Sequence, residues 1–189
     1  MKNIAIFASG SGSNARKIME YFAERNDVSV QLVISNRADA GVLKIAESFG
    51  VDSIVIDRST FYDSEDVVSV LNKYEITLIV LAGFLWLIPN YLVDAFQGRI
   101  INIHPALLPK YGGKGMHGSH VHRAVKEANE SESGMSVHYV NERYDEGQII
   151  FQARCQLSPA DTPDDIARKV LELEHKHYAV VIDQLLQRF

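Results

Sequence analysis

The sequence predicts an α/β fold: a Rossmann-like, doubly wound, mostly parallel sheet with an antiparallel C-terminal addition, in a single domain. Three observations carry this. Short apolar runs alternate with stretches of helical periodicity through residues 1–104. The first run ends in a glycine-rich turn that opens a helix. Beyond residue 128, two alternating strands follow each other without a helix between them, and a long terminal helix closes the chain.

Residues 3–8 are apolar and lead into Ser9-Gly10-Ser11-Gly12, as a buried strand entering a tight loop would. Ala15, Ile18, Met19 and Phe22 recur at helical spacing, so residues 14–25 form a helix with Ser13 or Asn14 near its N-cap. A second strand at 28–34 precedes a helix at 39–49, stopped by Gly50. A strand at 53–56 and a helix at 63–74 follow. Residues 77–82 are the most continuously apolar run, which marks a central parallel strand buried on both faces. A short helix at 89–96 leads to a strand at 99–104.

The second half reads differently. Residues 107–119 are a loop rich in glycine, followed by a helix at 120–128 and strands at 136–140 and 148–156, joined by the turn-forming segment 141–147. In the last helix Ile166, Val170, Leu173, His177, Val180 and Gln184 fall on one predicted stripe. Asp161, Asp164 and Asp165 stand at its start, where carboxylates complement the helix dipole. No repeat or linker divides the chain.

With 189 residues, 47% hydrophobic and 23% charged, the chain has the composition of a globular protein with one sizeable core. A net charge of −5 argues against a general nucleic-acid binder but leaves anionic small ligands open. Cys155 is the lone cysteine, so no internal disulfide forms, and a buried, inert thiol is expected. No apolar run approaches the roughly 20 residues that span a bilayer. The chain opens on its first strand without a targeting pattern, so a cytoplasmic protein without membrane partners is expected.

Gly10-Ser11-Gly12-Ser13-Asn14-Ala15 follows a strand and opens a helix. Free backbone N–H groups and the positive end of the helix dipole then face the loop, which suits an anion. The same residues match a dinucleotide fingerprint, which calls for an acidic residue after the second strand. Ser35-Asn36-Arg37 stands there instead, so an NAD enzyme is disfavoured, while an NADP enzyme and a bare turn stay open. Mononucleotide phosphate binding is the preferred reading.

Asn102 and His104 share one face of a strand, roughly 6.6 Å apart along it. Pro105 places His104 at the strand's carboxyl end, where open α/β sheets bind ligands. A proton carrier beside a neutral donor is what acyl transfer requires: one group manages the amine's protons, another stabilises an oxyanion. The alternative is that both residues are scaffold. Asp145, in Tyr144-Asp145-Glu146-Gly147, reads by itself as turn chemistry.

Taken together, Ala8-Ser9-Gly10-Ser11-Gly12-Ser13-Asn14, Ser35-Asn36-Arg37-Ala38-Asp39-Ala40, Val80-Leu81-Ala82-Gly83-Phe84, Ile101-Asn102-Ile103-His104-Pro105-Ala106-Leu107-Leu108-Pro109, Ser136-Val137-His138 and Leu173-Glu174-His175 resemble the phosphoribosylglycinamide formyltransferases over almost the whole chain. The Asn-Ile-His-Pro-x-Leu-Leu-Pro motif is shared by the wider formyltransferase superfamily, so it specifies chemistry better than substrate.

The resemblance implies formyl transfer from 10-formyltetrahydrofolate, as co-substrate, to the amine of glycinamide ribonucleotide, without a metal. It implies catalytic roles for Asn102, His104 and Asp145. It places the substrate phosphate on Ser11, Gly12, Ser13 and Asn14 and the ribose hydroxyls on Glu174. It lines the folate pocket with Phe84, Leu85, Trp86, Leu87, Ile88, Met135 and Val140, together with Asn102 and Asp145. Residues 1–104 become a nucleotide-phosphate half and residues 105–189 a folate-binding and catalytic half.

Three departures stand out. Trp86 occupies a position where many relatives carry Arg. The glycine-rich loop 110–118 is longer than usual and is expected to be mobile before substrate binds. The chain ends at Phe189, without the C-terminal extension of some relatives.

His117, His120 and His122 cluster, but no nearby carboxylate or thiolate completes a ligand set, so substrate contact or capping is expected, with His120 beside the phosphate. Two rivals remain. A 10-formyltetrahydrofolate deformylase usually carries an extra N-terminal domain, and a non-catalytic nucleotide-binding module would use the same glycine loop. A monomer or a homodimer is expected.

Overall fold

The computed structural model describes all 189 residues. Seven strands form one sheet in the order β3-β2-β1-β4-β5-β6-β7. Strands β1 (Lys2–Phe7), β2 (Val28–Ser35), β3 (Asp52–Val55), β4 (Ile76–Leu81) and β5 (Ile100–His104) run parallel. Strand β6 (Glu132–Tyr139) is antiparallel to β5, and β7 (Ile149–Gln156) is antiparallel to β6. The predicted fold class holds, antiparallel addition included.

Period-two alternation divides each central strand between two cores. Ile4 and Ile6, Leu78 and Val80, and Ile101 and Ile103 face a larger core with α1 (Ser13–Phe22), α2 (Gly41–Ser48) and α7 (Pro163–Leu186). Ala5 and Phe7, Ile79 and Leu81, and Ile100 face a smaller one with α3 (Arg58–Tyr62), α4 (Asp66–Lys73) and α5 (Asn90–Ala95). Asn102 and His104 share the face of Ile100. Beyond Ile100 that face is covered by the chain after β5: Ser136 Oγ donates to Ala106 O (2.7 Å) and accepts from Leu108 N (3.0 Å). Polar residues at the strand end therefore stand at the edge of a core. Helix α6 (Ser119–Glu127) packs on α7.

Several expectations shift. The helix placed at 63–74 begins at Asp66, and the short α3 precedes it, capped by Asp57 accepting from Thr60 N at 2.8 Å. Strand β6 starts at Glu132 rather than at 136. The stripe on α7 runs through Ile166, Val170, Glu174, Tyr178, Ile182 and Leu185, all buried, while Val180 and Gln184 are exposed and Leu173 and His177 only half-buried. The stripe includes two polar residues that find partners: Tyr178 donates to Leu81 O (2.8 Å) and Glu174 accepts from Asn14. The acidic start of α7 is structural as expected, with Thr162 and Asp165 forming a capping box. Cys155 is half-buried rather than buried, and burial pushes its thiol up. No helix is long and apolar enough to cross a membrane.

Candidate active site

The glycine loop is shaped by close approach. Gly12, at φ 82°, is the N-cap of α1, and a Cβ there would lie 2.8 Å from Val42 Cα. No side chain caps the helix, so neither Ser13 nor Asn14 is the predicted N-cap. Asn14 Nδ2 instead donates to Glu174 Oε2 at 2.7 Å, tying the loop to α7. Glu174 is only 7% exposed. Burial pushes its carboxyl up, and the Asn14 hydrogen bond partly offsets this. Asn14 Oδ1 is buried without a partner.

At the end of β5, pairing with β6 sets Asn102 opposite His138 and His104 opposite Ser136. Opposite residues share a face, so His138 joins the pair. Asp145 reaches them from the turn after β6, at φ 57°, in a left-handed conformation that Asp tolerates better than most residues. A Cβ on Gly147 would stand 1.6 Å from Tyr139 O, so glycine alone lets that turn fold back. Asp145 Oδ2 accepts from Gly113 N (2.9 Å) and lies 3.4 Å from His104 Nδ1. Its Oδ1 lies 3.4 Å from Asn102 Nδ2 and 3.5 Å from His138 Nε2. The three residues expected to act together are brought together.

The hydrogen bonds fix the protons. His104 Nε2 is 2.7 Å from Tyr111 O, an acceptor only, so Nε2 carries the hydrogen. A neutral His104 then turns its bare Nδ1 towards Asp145. His138 Nδ1 faces Tyr139 O at 2.8 Å and must likewise donate, which leaves Nε2 to accept from Asn102 Nδ2 at 3.1 Å. Burial pushes His104 down, against the pull of the Asp145 charge and the Tyr111 carbonyl, which favours its neutral form. Burial works to raise Asp145, but the imidazoles of His138 and His104, whenever they are protonated, and the Gly113 N–H hold it below the ordinary carboxylate value. An ionised carboxylate beside a neutral imidazole with its bare nitrogen inward is a set that can take and return a proton.

A cleft of about 850 Å³ joins these parts. Ser11, Gly12, Ser13, Asn14 and Glu174 line it, as do Phe84, Leu85, Trp86, Leu87, Ile88 and Val140, with Asn102, His104 and Asp145 between them. Phe84 packs edge-on against Phe7 and Phe61, and the Arg58 guanidinium sits 5.4 Å from the centre of the Trp86 ring. Met135 does not line the cleft. It lies in the larger core on the opposite face of β6 from His138, because the pleat turns odd-numbered residues away. His117 and His122 line the cleft, whereas His120, expected beside the phosphate, is exposed. His122 Nδ1 is buried without a partner, and burial pushes His122 down. No group of three or more His, Cys, Asp or Glu side chains is arranged to hold a metal ion.

Sequence reasoning left out His138 and Ser9. His138 stood in the Ser136-Val137-His138 segment of the resemblance but was given no role, and its face was legible only as that of the second residue after Ser136 on an alternating strand. Ser9 Oγ donates to Asn36 Oδ1 (2.6 Å) and accepts from Leu85 N (3.0 Å), joining the glycine loop to the Phe84 segment. Arg37 lines the cleft but pairs with Asp39 at 2.9 Å.

A family model described as "Formyl transferase" matches residues 2–182. The chloroplastic phosphoribosylglycinamide formyltransferase of Arabidopsis thaliana is 42% identical, over 98% of this chain and 66% of its own. That of Bacillus subtilis is 38% identical, over 98% of this chain and 95% of its own. The crystal structure of the enzyme of that name from Anaplasma phagocytophilum aligns with a TM-score of 0.90 at 32% identity, covering 98% of this chain and 87% of that one. The chain thus spans just under two thirds of its chloroplastic relative and nearly all of the Bacillus one.

Proposed function

The chain belongs to the formyl transferase family, and from that premise we propose that it transfers the formyl group of 10-formyltetrahydrofolate to the amine of glycinamide ribonucleotide, a step of purine synthesis. The convergence of Asn102, His104 and Asp145 within 3.4 Å contacts carries this reading.

The amine nitrogen attacks the formyl carbon, a C–N bond forms, and the carbonyl oxygen takes up negative charge. One Asn102 amide hydrogen is held by His138; the other makes only the long 3.4 Å contact to Asp145 and turns to the developing oxyanion. The attacking nitrogen must shed a proton and folate N10 must gain one as its bond to the formyl carbon breaks. His104 Nδ1 and Asp145 Oδ2 stand side by side for that transfer, and no net proton is consumed. As Nδ1 takes the proton, the nearby carboxylate stabilises the imidazolium. Ser11, Gly12, Ser13 and Asn14 hold the phosphate through the end of α1. Glu174, with Asn14, holds the ribose hydroxyls. The pterin lies along residues 84–88 and Val140.

A spectroscopic assay with a 10-formyl folate donor, run with and without glycinamide ribonucleotide, tests this. Turnover that needs the ribonucleotide supports the proposal. Donor loss without acceptor marks a hydrolase, and no loss in either arm marks a binding module.

A further inference from the structure

The segment after β5 touches the reacting groups through its backbone. Tyr111 O accepts from His104 Nε2 at 2.7 Å, and Gly113 N donates to Asp145 Oδ2 at 2.9 Å. Both catalytic side chains therefore take their orientation from one short stretch of main chain. That stretch is held in an unfavourable shape: Tyr111 sits at φ 57°, which a non-glycine residue keeps only where its surroundings impose it. Packing does not impose it alone, because a cavity of about 210 Å³ lies against the same segment, lined by Leu108, Lys110, Tyr111, Val125 and Glu130.

What crosses this gap is a side-chain tether. Tyr111 OH donates to Glu130 Oε1 at 2.8 Å, and Lys110 Nζ donates to the same oxygen at 2.8 Å. Glu130 stands between α6 and β6, outside the cleft, and its side chain is only 24% exposed. A hydrogen bond from a phenol to an ionised carboxylate is roughly twice as strong as a neutral one. It fixes the Tyr111 ring from one end, and the ring fixes the carbonyl that dictates which His104 nitrogen carries the hydrogen.

We infer that Glu130 is a positioning residue for the transfer: through Tyr111 it holds the carbonyl that keeps His104 in the Nε2–H form, with the bare Nδ1 beside Asp145. The inference rests on the proposed function for its catalytic consequence, but not for its effect on His104. The other titratable groups near His104 are Asp145, His138 and His122, and none of them bonds Glu130, whose side-chain hydrogen bonds go to Lys110 and Tyr111.

The test combines imidazole ¹⁵N NMR with steady-state kinetics on the full chain and on Glu130→Ala, Tyr111→Phe, the double variant and Glu130→Gln. In the parent, His104 is expected as the Nε2–H tautomer at neutral pH. Either single truncation mixes in the Nδ1–H tautomer and lowers kcat about tenfold, with KM within about twofold, the scale on which misplacing a catalytic group costs rate. The double variant is no worse than the poorer single one, because both cut one tether. Glu130→Gln, which still accepts from Tyr111, restores the tautomer and most of kcat. Truncations that lower thermal stability yet leave the His104 tautomer unmixed, or singles whose effects on kcat multiply, overturn the inference. Absence of formyl transfer by the parent counts against the proposed function, while the tautomer measurement still decides the role of Glu130.

Discussion

The glycine loop after β1 takes its turn from backbone geometry, with Ser9 and Asn14 tying it to its neighbours, whereas the Asn102–Asp145 cluster is built from side chains that meet one another and the backbone of residues 111–113. At Gly12 the left-handed φ and the 2.8 Å approach to Val42 leave no room for a Cβ, and no side chain caps the helix that follows. At the end of β5, four side chains from β5, β6 and the following turn are bonded to one another or to backbone atoms at 2.7–3.5 Å. In the proposed function the first region presents N–H groups to the substrate phosphate, a task for which side-chain identity matters little. The second places protons on chosen nitrogens, a task only particular side chains can do. The two regions should therefore fail in opposite ways when mutated.

The largest effect is expected at Asp145. Asp145→Ala removes the partner of His104 Nδ1 and is expected to lower kcat about 10³-fold, within the range of general acid–base catalysis, with KM for the ribonucleotide changed less than about threefold in the same assay. A comparable rise in KM would place Asp145 in substrate binding and erase the contrast.

Gly12→Ala comes next and should break the other region by the opposite route. A side chain forced into that φ costs about 2 kcal/mol, so a thermal melt is expected to fall by about 4–8 °C. KM for the ribonucleotide should rise about tenfold, with kcat nearly kept. An unchanged KM would mean that the loop does not hold the phosphate.

A smaller effect is expected in the pH profile. His104 must be neutral to take a proton, and burial puts its folded value below that of a free imidazole, about 6.5. As pH falls, kcat/KM should therefore hold through that ordinary value and be lost only below it. The same sign governs stability: the unfolded chain binds the His104 proton more readily, so this contribution is complete above the unfolded value and is lost as pH falls towards the folded one. An acidic limb above pH 6.5 would mean that another group limits the rate.

The smallest effect is expected for Ser11→Ala, whose backbone N–H survives the change. KM for the ribonucleotide should rise less than about twofold, and a tenfold rise would assign the phosphate to the hydroxyl rather than to the main chain.

The same contrast explains what was legible in the sequence. Strands β1 and β4 were legible because burial on both faces writes itself as an apolar run, and β5 because Asn102 and His104 fall on one face of an otherwise apolar strand that ends at Pro105. The glycine loop was legible because backbone demands select glycine locally. Strand β6 was started too late; its first half carries Gly134, where a Cβ would stand 2.0 Å from Ala153 O, a contact that exists only once β7 is paired. The stripe on α7 was drawn along the wrong residues beyond Val170 because Glu174 and Tyr178 are buried only by virtue of partners on α1 and β4. Met135 and His138 show the limit most clearly. Their strand was recognised, but which of its faces met Asn102 depended on a cross-strand register that no local pattern records.

In the proposed function a transferable formyl group meets its acceptor between Asn102 and the His104–Asp145 pair. The most direct measurement is donor turnover by the parent and by Asp145→Asn, each with and without glycinamide ribonucleotide. Ribonucleotide-dependent transfer is expected of the parent, and its loss, by about 10³-fold in kcat, of a variant that still binds the ribonucleotide. Full transfer by Asp145→Asn, or donor loss that ignores the ribonucleotide, would contradict it.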